Sequence, residues 1–360
     1  MTKKIKLLAF YLPQFHTFPE NDKWWGKGFT EWTNTKKAMP LFPKHYQPRT
    51  PLNNNYYDLT KKESMLWQME LAKKYGIYGF CYYHYWFNGK LLMEKPIELM
   101  RSIEGRIPYC FCWANEPWTR AWDGKTKEVL MPQVYGGEKE WKEHYNYLSR
   151  FFCDDKYIKI DGKPVIVLYK TQSIDDCEKM ISFWNEECIK SGFKGIYVIE
   201  ERNAFQKSKC CINSDAILDF EPMFTVKYGR SIPLRIIDKL KTKMFNARYD
   251  NQMLIYSYDH VWKALIKRAK TETLKEKKYL GAFVDWDNSA RKKKNSLLFY
   301  GATPSKFEKY LKELVDLSVQ AGSELIFINA WNEWAEGTYL EPDKKWGYEY
   351  LEAVENSLKK

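Results

Sequence analysis

ELIFINAWNEWAEGTYLEP, residues 324–342, is the stretch on which the reading of this chain turns. Its first part, ELIFINA, is a short apolar run of the kind that forms a buried strand. Directly behind it come two tryptophans, an asparagine and two acids, Glu333 and Glu336. Carboxylates just past the carboxyl end of a strand are what the active-site face of a parallel βα barrel displays. Working outward, seven more runs of this type occur at residues 5–11, 77–83, 107–113, 164–169, 195–200, 216–221 and 280–285. Longer stretches with apolar residues at three-to-four spacing follow most of them, at 60–75, 96–103, 138–152, 173–191, 259–270, 304–321 and 346–358. Eight strands alternating with helices predict an α/β protein, a (β/α)8 TIM barrel with long βα loops, as a single domain over residues 1–360. The helix after the fifth strand is not evident. Insertions at 12–58, 114–137, 222–258 and 286–303 follow strands one, three, six and seven, so as loops they would all rim one face. An open doubly wound sheet would need a glycine-rich phosphate turn after an early strand, and the sequence has none.

Composition agrees with a large folded core and narrows the partner. Of 360 residues, 44% are hydrophobic, and Tyr 26, Phe 20 and Trp 15 exceed what packing alone requires. Many of these rings sit beside polar residues in loop segments, which suits a sugar-binding cleft, although aromatics fill cores as well. The net charge of +12 comes from lysines spread along the chain, with local runs at 275–278 and 291–294. These runs read first as solvated surface, with peripheral membrane association or attraction to an anionic glycan or nucleic acid as the alternatives. No nucleic-acid motif accompanies them. Eight cysteines include three within strand-like runs and the adjacent Cys210 and Cys211, which points to reduced thiols rather than a disulfide framework. The opening MTKKIKLLAFYLPQFH reads as strand one and not as a signal peptide, and no apolar stretch reaches membrane-spanning length, so a cytoplasmic location is expected.

The chemistry concentrates at the predicted strand ends. Glu333 and Glu336 are three residues apart, and one helical turn would bring them together as an acid and a base for glycosidic cleavage, with Trp331 and Trp334 shielding them. Burial and mutual repulsion would then raise one carboxyl above the other. Asn332 lies between them and the strand. After strand three, FCWANEPWTRAWDG offers Trp113, Asn115, Glu116, Trp118 and Trp122 as a wall that stacks on sugar rings and grips hydroxyls, with a Glu116–Arg120 ion pair as the plainer use. Strand two contributes His84 and Trp86. Strand one and its loop contribute Tyr11, Gln14 and His16, then Glu31 and Trp32 from WWGKGFTEWTN, and Tyr46. Glu221 closes strand six. Asp285, Trp286 and Asp287 end strand seven, where Trp286 and Asp287 suit sugar contacts better than the metal–diphosphate role an Asp-x-Asp pair can play. No metal and no organic cofactor is expected.

The segments YLPQFH, GFTEW, NEPW, DWDN and WNEWAEGT, in that order, resemble the WbsX family, whose barrel is similar to that of glycoside hydrolase family 99. WbsX members carry the label of glycosyltransferases of bacterial surface polysaccharide, such as lipopolysaccharide O-antigen. Family 99 enzymes are retaining endo-mannosidases. The resemblance implies that Glu333 acts as a base on the sugar 2-hydroxyl, which closes an anhydro-sugar intermediate, while Glu336 protonates the leaving oxygen. Ala335 departs from the family 99 pattern, which has a histidine there, and this bears on substrate identity. The expectation is thus a retaining glycoside hydrolase or transglycosidase acting on an oligosaccharide or polysaccharide. A glycosyltransferase and a non-catalytic glycan-binding barrel are the alternatives.

Overall fold

The computed structural model describes residues 5–120, 125–272 and 277–359. Eight strands form a closed ring: β1 (Lys6–Tyr11), β2 (Ile77–Phe87), β3 (Tyr109–Trp113), β4 (Lys163–Leu168), β5 (Tyr197–Arg202), β6 (Ala216–Asp219), β7 (Lys277–Phe283) and β8 (Leu325–Asn329). Each pairs in parallel with its sequence neighbour, and β8 closes on β1 with Leu8 opposite Phe327. The predicted (β/α)8 barrel is the observed one.

Closure places Phe10 of β1 at the centre, where its ring meets Tyr83 of β2, Phe220 just beyond β6 and Phe327 of β8. Gly281 of β7 is required by close approach, because a Cβ there would lie 2.0 Å from the Asp219 carbonyl oxygen. The outer layer includes helices Lys62–Lys74, Glu138–Phe152, Cys177–Lys190, Tyr258–Thr271, Pro304–Gln320 and Glu349–Ser357. Residues 203–215, between β5 and β6, contain no helix. That connection is instead pinned by the Glu200 carboxylate, which accepts from the Gln206 side chain (2.7 Å) and the Cys211 backbone N–H (2.9 Å).

The rim differs from the loops expected. The insertion after β6 contains an 18-residue helix, Ile232–Tyr249, followed by a strand, Leu254–Ser257, that pairs with Leu297–Tyr300 from the insertion after β7. The insertion after β1 holds the helix Glu31–Lys37, and the one after β3 carries the hairpin Trp118–Arg120 and Lys125–Met131. Cys177 and Cys211 form a disulfide, where reduced thiols were expected. No helix among the described residues is long and apolar enough to cross a membrane.

Candidate active site

At the carboxyl ends of the strands lies a cavity of ≈ 560 Å³, within the range of small-molecule and cofactor pockets. Tyr83, Tyr85, Tyr169, Trp118 and Trp286 supply aromatic walls, while Gln14, Glu116, Arg291, Glu333 and Glu336 supply the polar groups. Lys170 donates to Glu116 (2.8 Å), so Glu116 is not paired with Arg120, whose partner is Glu128.

The polar centre is three carboxylates around one guanidinium. Arg291 Nη1 donates to Glu336 Oε1 (2.5 Å), and its Nη2 donates to Glu31 Oε1 (2.7 Å) and Glu333 Oε2 (3.3 Å). Three distant stretches of chain meet here. The segment Trp334–Glu336 makes a single 3-10 turn, and that turn sets Glu333 and Glu336 on one side of the loop after β8. Gly337 ends it at φ +67°, and a Cβ there would lie 2.8 Å from the Asp287 backbone nitrogen, which itself donates to the Glu336 carbonyl (2.7 Å). Glu31 also accepts from the Ala335 N–H (3.1 Å), so the loop after β1 clamps the loop after β8.

One positive charge cannot neutralise three carboxylates, two of them buried and the third half-buried. Burial pushes the Glu333 carboxyl well above its ordinary value, and the Glu336 charge adds to this against the opposing pull of Arg291. Burial raises Glu31 in the same way, again outweighing Arg291. Glu336 is the most open of the three, its side chain 24% exposed against 9% for Glu333. Burial thus weighs against charge on Glu31 and Glu333, with Glu31 the deeper of the two and Glu333 the one that also lines the cavity.

A second layer fixes the loop from behind. Glu341, fully buried, accepts from Trp334 Nε1 (2.6 Å), Gln68 Nε2 (2.7 Å) and the Tyr57 hydroxyl (2.8 Å). Burial still lifts it to about 7 against those hydrogen bonds. Asn332 exchanges hydrogen bonds with both backbone groups of Leu12 (2.8 and 3.0 Å), tying β8's exit to that of β1.

Of the residues anticipated from sequence, Glu333, Glu336, Gln14, Glu116, Trp118 and Trp286 line the cavity. Others do not, and strand parity explains those on the barrel strands. Tyr83 and Tyr85 face inward, so His84 and Trp86, one step along β2, point out at the helix Glu138–Phe152. There His84 Nε2 lies 2.9 Å from His144 Nε2, burial lowers His84 to about 3, and Trp86 stacks on His144. Trp113 is buried in the same cluster and donates to the Trp86 carbonyl (3.2 Å). Tyr11 is likewise outside, donating to Gln68 (2.6 Å). Trp32 packs behind the site, donating to the Tyr57 carbonyl (2.8 Å). Trp334 faces Glu341 rather than the cavity, and Asn332 is spent on backbone. Asn115 accepts from the Lys170 N–H and donates to the Lys170 carbonyl, which holds β3's exit to that of β4. Glu221 pairs with Arg268 (2.5 Å) in a buried ionic network with Asp219, Arg202 and Lys278. Trp122 falls outside the described residues.

Tyr46 and Asp287 belong to a separate cavity of ≈ 480 Å³. Asp287 accepts from His45 (2.9 Å), Gln47 (2.8 Å) and the Ser289 N–H (3.1 Å), and Asp285 accepts from Arg49 (2.8 Å). Burial alone would raise Asp287, but the His45 hydrogen bond and the Arg49 charge hold it at about 2. No group of three or more His, Cys, Asp or Glu among the described residues is arranged to hold a metal ion.

Sequence reading missed Tyr83, Tyr85, Tyr169 and above all Arg291, which looked like one more member of a basic surface run. Its three lysine neighbours are exposed as a charge run should be, or nearly so, while Arg291 is the one turned inward. A fully buried acid, Glu201 of β5, also went unnoticed; burial and then Glu116 raise it well above its ordinary value.

The family model described as Glycosyltransferase WbsX matches residues 7–354. The uncharacterized protein WxcX of Xanthomonas campestris pv. campestris is 33% identical over 357 residues, covering 98% of this chain and 49% of the relative, so the chain spans about half the length of the curated relatives it matches. Among solved structures, a glycoside hydrolase-like protein superposes with a TM-score of 0.60 at 14% identity, covering 99% of this chain and 95% of the other. A family 99 endo-alpha-mannosidase from Bacteroides thetaiotaomicron superposes with a TM-score of 0.54 at 13% identity over 98% of this chain and 96% of the other. At such identity these structures establish the shared fold. The sequence match over nearly the whole chain establishes kinship: this protein is a member of the WbsX glycosyltransferase family, built on the barrel also used by family 99 glycoside hydrolases.

Proposed function

We propose that the protein breaks and remakes glycosidic bonds in an oligosaccharide or polysaccharide, using Glu333 and Glu336 as a proton-transferring pair with retention of configuration. The observation that carries this reading is the sharing of Arg291 by both carboxylates at the bottom of an aromatic-walled cavity. Glycosidic cleavage needs two carboxyl groups holding one proton between them. Burial and mutual repulsion favour that state, and a coupled pair of this kind titrates as a unit.

The roles follow the family 99 pattern. Glu333, deep and desolvated, is a stronger base than a solvated carboxylate once ionised, which suits removal of a proton from a weakly acidic sugar hydroxyl. The freed O2 attacks C1, the bond from C1 to the leaving oxygen breaks, and Glu336 gives that oxygen its proton. The anhydro-sugar then opens when water or another sugar hydroxyl attacks C1, its proton passing to Glu336 while Glu333 returns the first proton to O2. Water gives hydrolysis and a sugar hydroxyl gives transfer, so one site accommodates both the family's name and its fold. Trp118, Trp286 and the cavity tyrosines would stack on or bond to flanking sugars.

A nucleotide-sugar transferase of the metal-dependent kind would call on Asp285 and Asp287. Both are directed at Arg49, His45 and Gln47, in a cavity other than the one that holds Glu333. The test is ligand-dependent thermal stabilisation combined with product analysis on defined oligosaccharides. The proposal expects stabilisation and cleavage or transfer with oligosaccharides. Stabilisation only by a nucleotide sugar with Mn²⁺ would overturn it.

A further inference from the structure

The helix Ile232–Tyr249 is amphipathic in the unusual sense: its solvent side is the apolar one. Ile232, Ile236, Ile237, Leu240 and Met244 are 40–73% exposed. At 100° per residue, Ile236, Leu240, Met244 and Ile237 fall on one stripe of the outer surface. Lys239 and Lys243 run along one margin of it, and Lys241 and Arg248 along the other. The helix carries Arg235, Lys239, Lys241, Lys243 and Arg248 against a single acid, Asp238, and that acid is buried and bound to Arg230 (2.5 Å).

The inner face is already occupied. Thr242 exchanges hydrogen bonds with Ile255, Asn246 with Met253, and Phe245 meets the ring of Phe42. The helix is therefore anchored to the rim, and its outer stripe is surplus to the fold. An exposed apolar band bordered by cations on both sides matches a surface that offers anionic groups above hydrocarbon.

We propose that this helix docks the protein on an anionic phospholipid surface, with the isoleucines, Leu240 and Met244 entering the acyl boundary and the flanking lysines and Arg248 meeting headgroup phosphates. A second copy of the chain is a poorer occupant, since it would bring two equally cationic margins together. Leu254 begins the strand hydrogen-bonded to this helix and also lines the main cavity. Docking thus sets the cavity mouth beside the lipid surface.

The test is co-sedimentation of the whole chain with phosphatidylcholine vesicles with and without phosphatidylglycerol. Binding is expected only with phosphatidylglycerol and should fade as salt rises. Leu240→Glu with Met244→Glu, and separately Lys239→Glu with Lys243→Glu, should each weaken it by at least about tenfold, since each basic residue near an anionic surface contributes a factor of about five. All four positions are exposed, so the thermal midpoint should not move. Equal binding to both vesicle types, no binding at low salt, or binding unchanged in both variants would overturn the proposal. So would a dimer, seen by light scattering, that the Leu240→Glu/Met244→Glu variant dissolves in place of any vesicle binding.

Discussion

Arg291→Gln removes the cation shared by two buried carboxylates and one half-buried one. Its nitrogens lie 2.5, 2.7 and 3.3 Å from Glu336, Glu31 and Glu333. At charge separations near 4 Å each ion pair is worth about 4 kcal/mol in an effective dielectric of 20, before the cost of desolvating the guanidinium is subtracted. Breaking a buried pair by deleting one partner costs about 3–5 kcal/mol overall. The sign of the pH dependence follows from the carboxyls. Glu31 and Glu333 already sit above their unfolded values, and losing Arg291 raises them further. Groups raised on folding favour the native state below their unfolded pKa and penalise it as pH climbs through the folded one. The variant should therefore lose about 3–5 kcal/mol at pH 8 and clearly less near pH 5, because protonating the raised carboxyls removes the charge that Arg291 offsets. Urea unfolding of wild type and variant at both pH values measures this. Glu31→Gln in the same background should restore part of the loss, a coupling of about 1–3 kcal/mol. Equal destabilisation at pH 5 and pH 8 would refute the reasoning, because packing and not charge would then be the cause.

Further expectations concern the residues around the cluster. Glu341, unfolded near 4.5 and folded near 7, should cost the wild type about 3 kcal/mol between those pH values, and Glu341→Gln should flatten the stability profile there, as urea titration will show. Trp118→Ala removes an aromatic wall of the cavity but none of the hydrogen bonds that join Arg291 to the carboxylates, so KM for an oligosaccharide should rise about tenfold with kcat little changed in steady-state assays. Glu221→Gln removes one carboxylate from Arg268, which keeps Asp219 and Glu272, so it should destabilise by about 1–3 kcal/mol in urea while leaving KM unmoved.

The barrel was legible because its signal is local. Each strand is a compact apolar run, and seven helices announce themselves by spacing, so counting units was enough. The facing of side chains was not legible. Strands covered on both sides carry apolar residues at every position, so CYYHYWF gives no hint that Tyr83 and Tyr85 face the cavity while His84 and Trp86 face a helix. The same loss of parity misplaced Tyr11. Glu333 and Glu336 were recoverable because one short turn carries both. Arg291 was not, since its partners lie 260, 42 and 45 residues away and its lysine neighbours disguise it as surface. The helix Ile232–Tyr249 escaped for a related reason: its apolar stripe faces solvent, so its spacing does not mark a core-facing element.

The proton-transferring pair is the claim on which the functional account stands, and paired substitution tests it most directly. Glu333→Gln and Glu336→Gln keep shape and remove the carboxylates. Turnover of a glycan accepted by the wild type should fall by at least about a thousandfold in each, with glycan affinity within a few-fold of wild type by calorimetry. Turnover that persists near the wild-type rate in both variants would contradict the account.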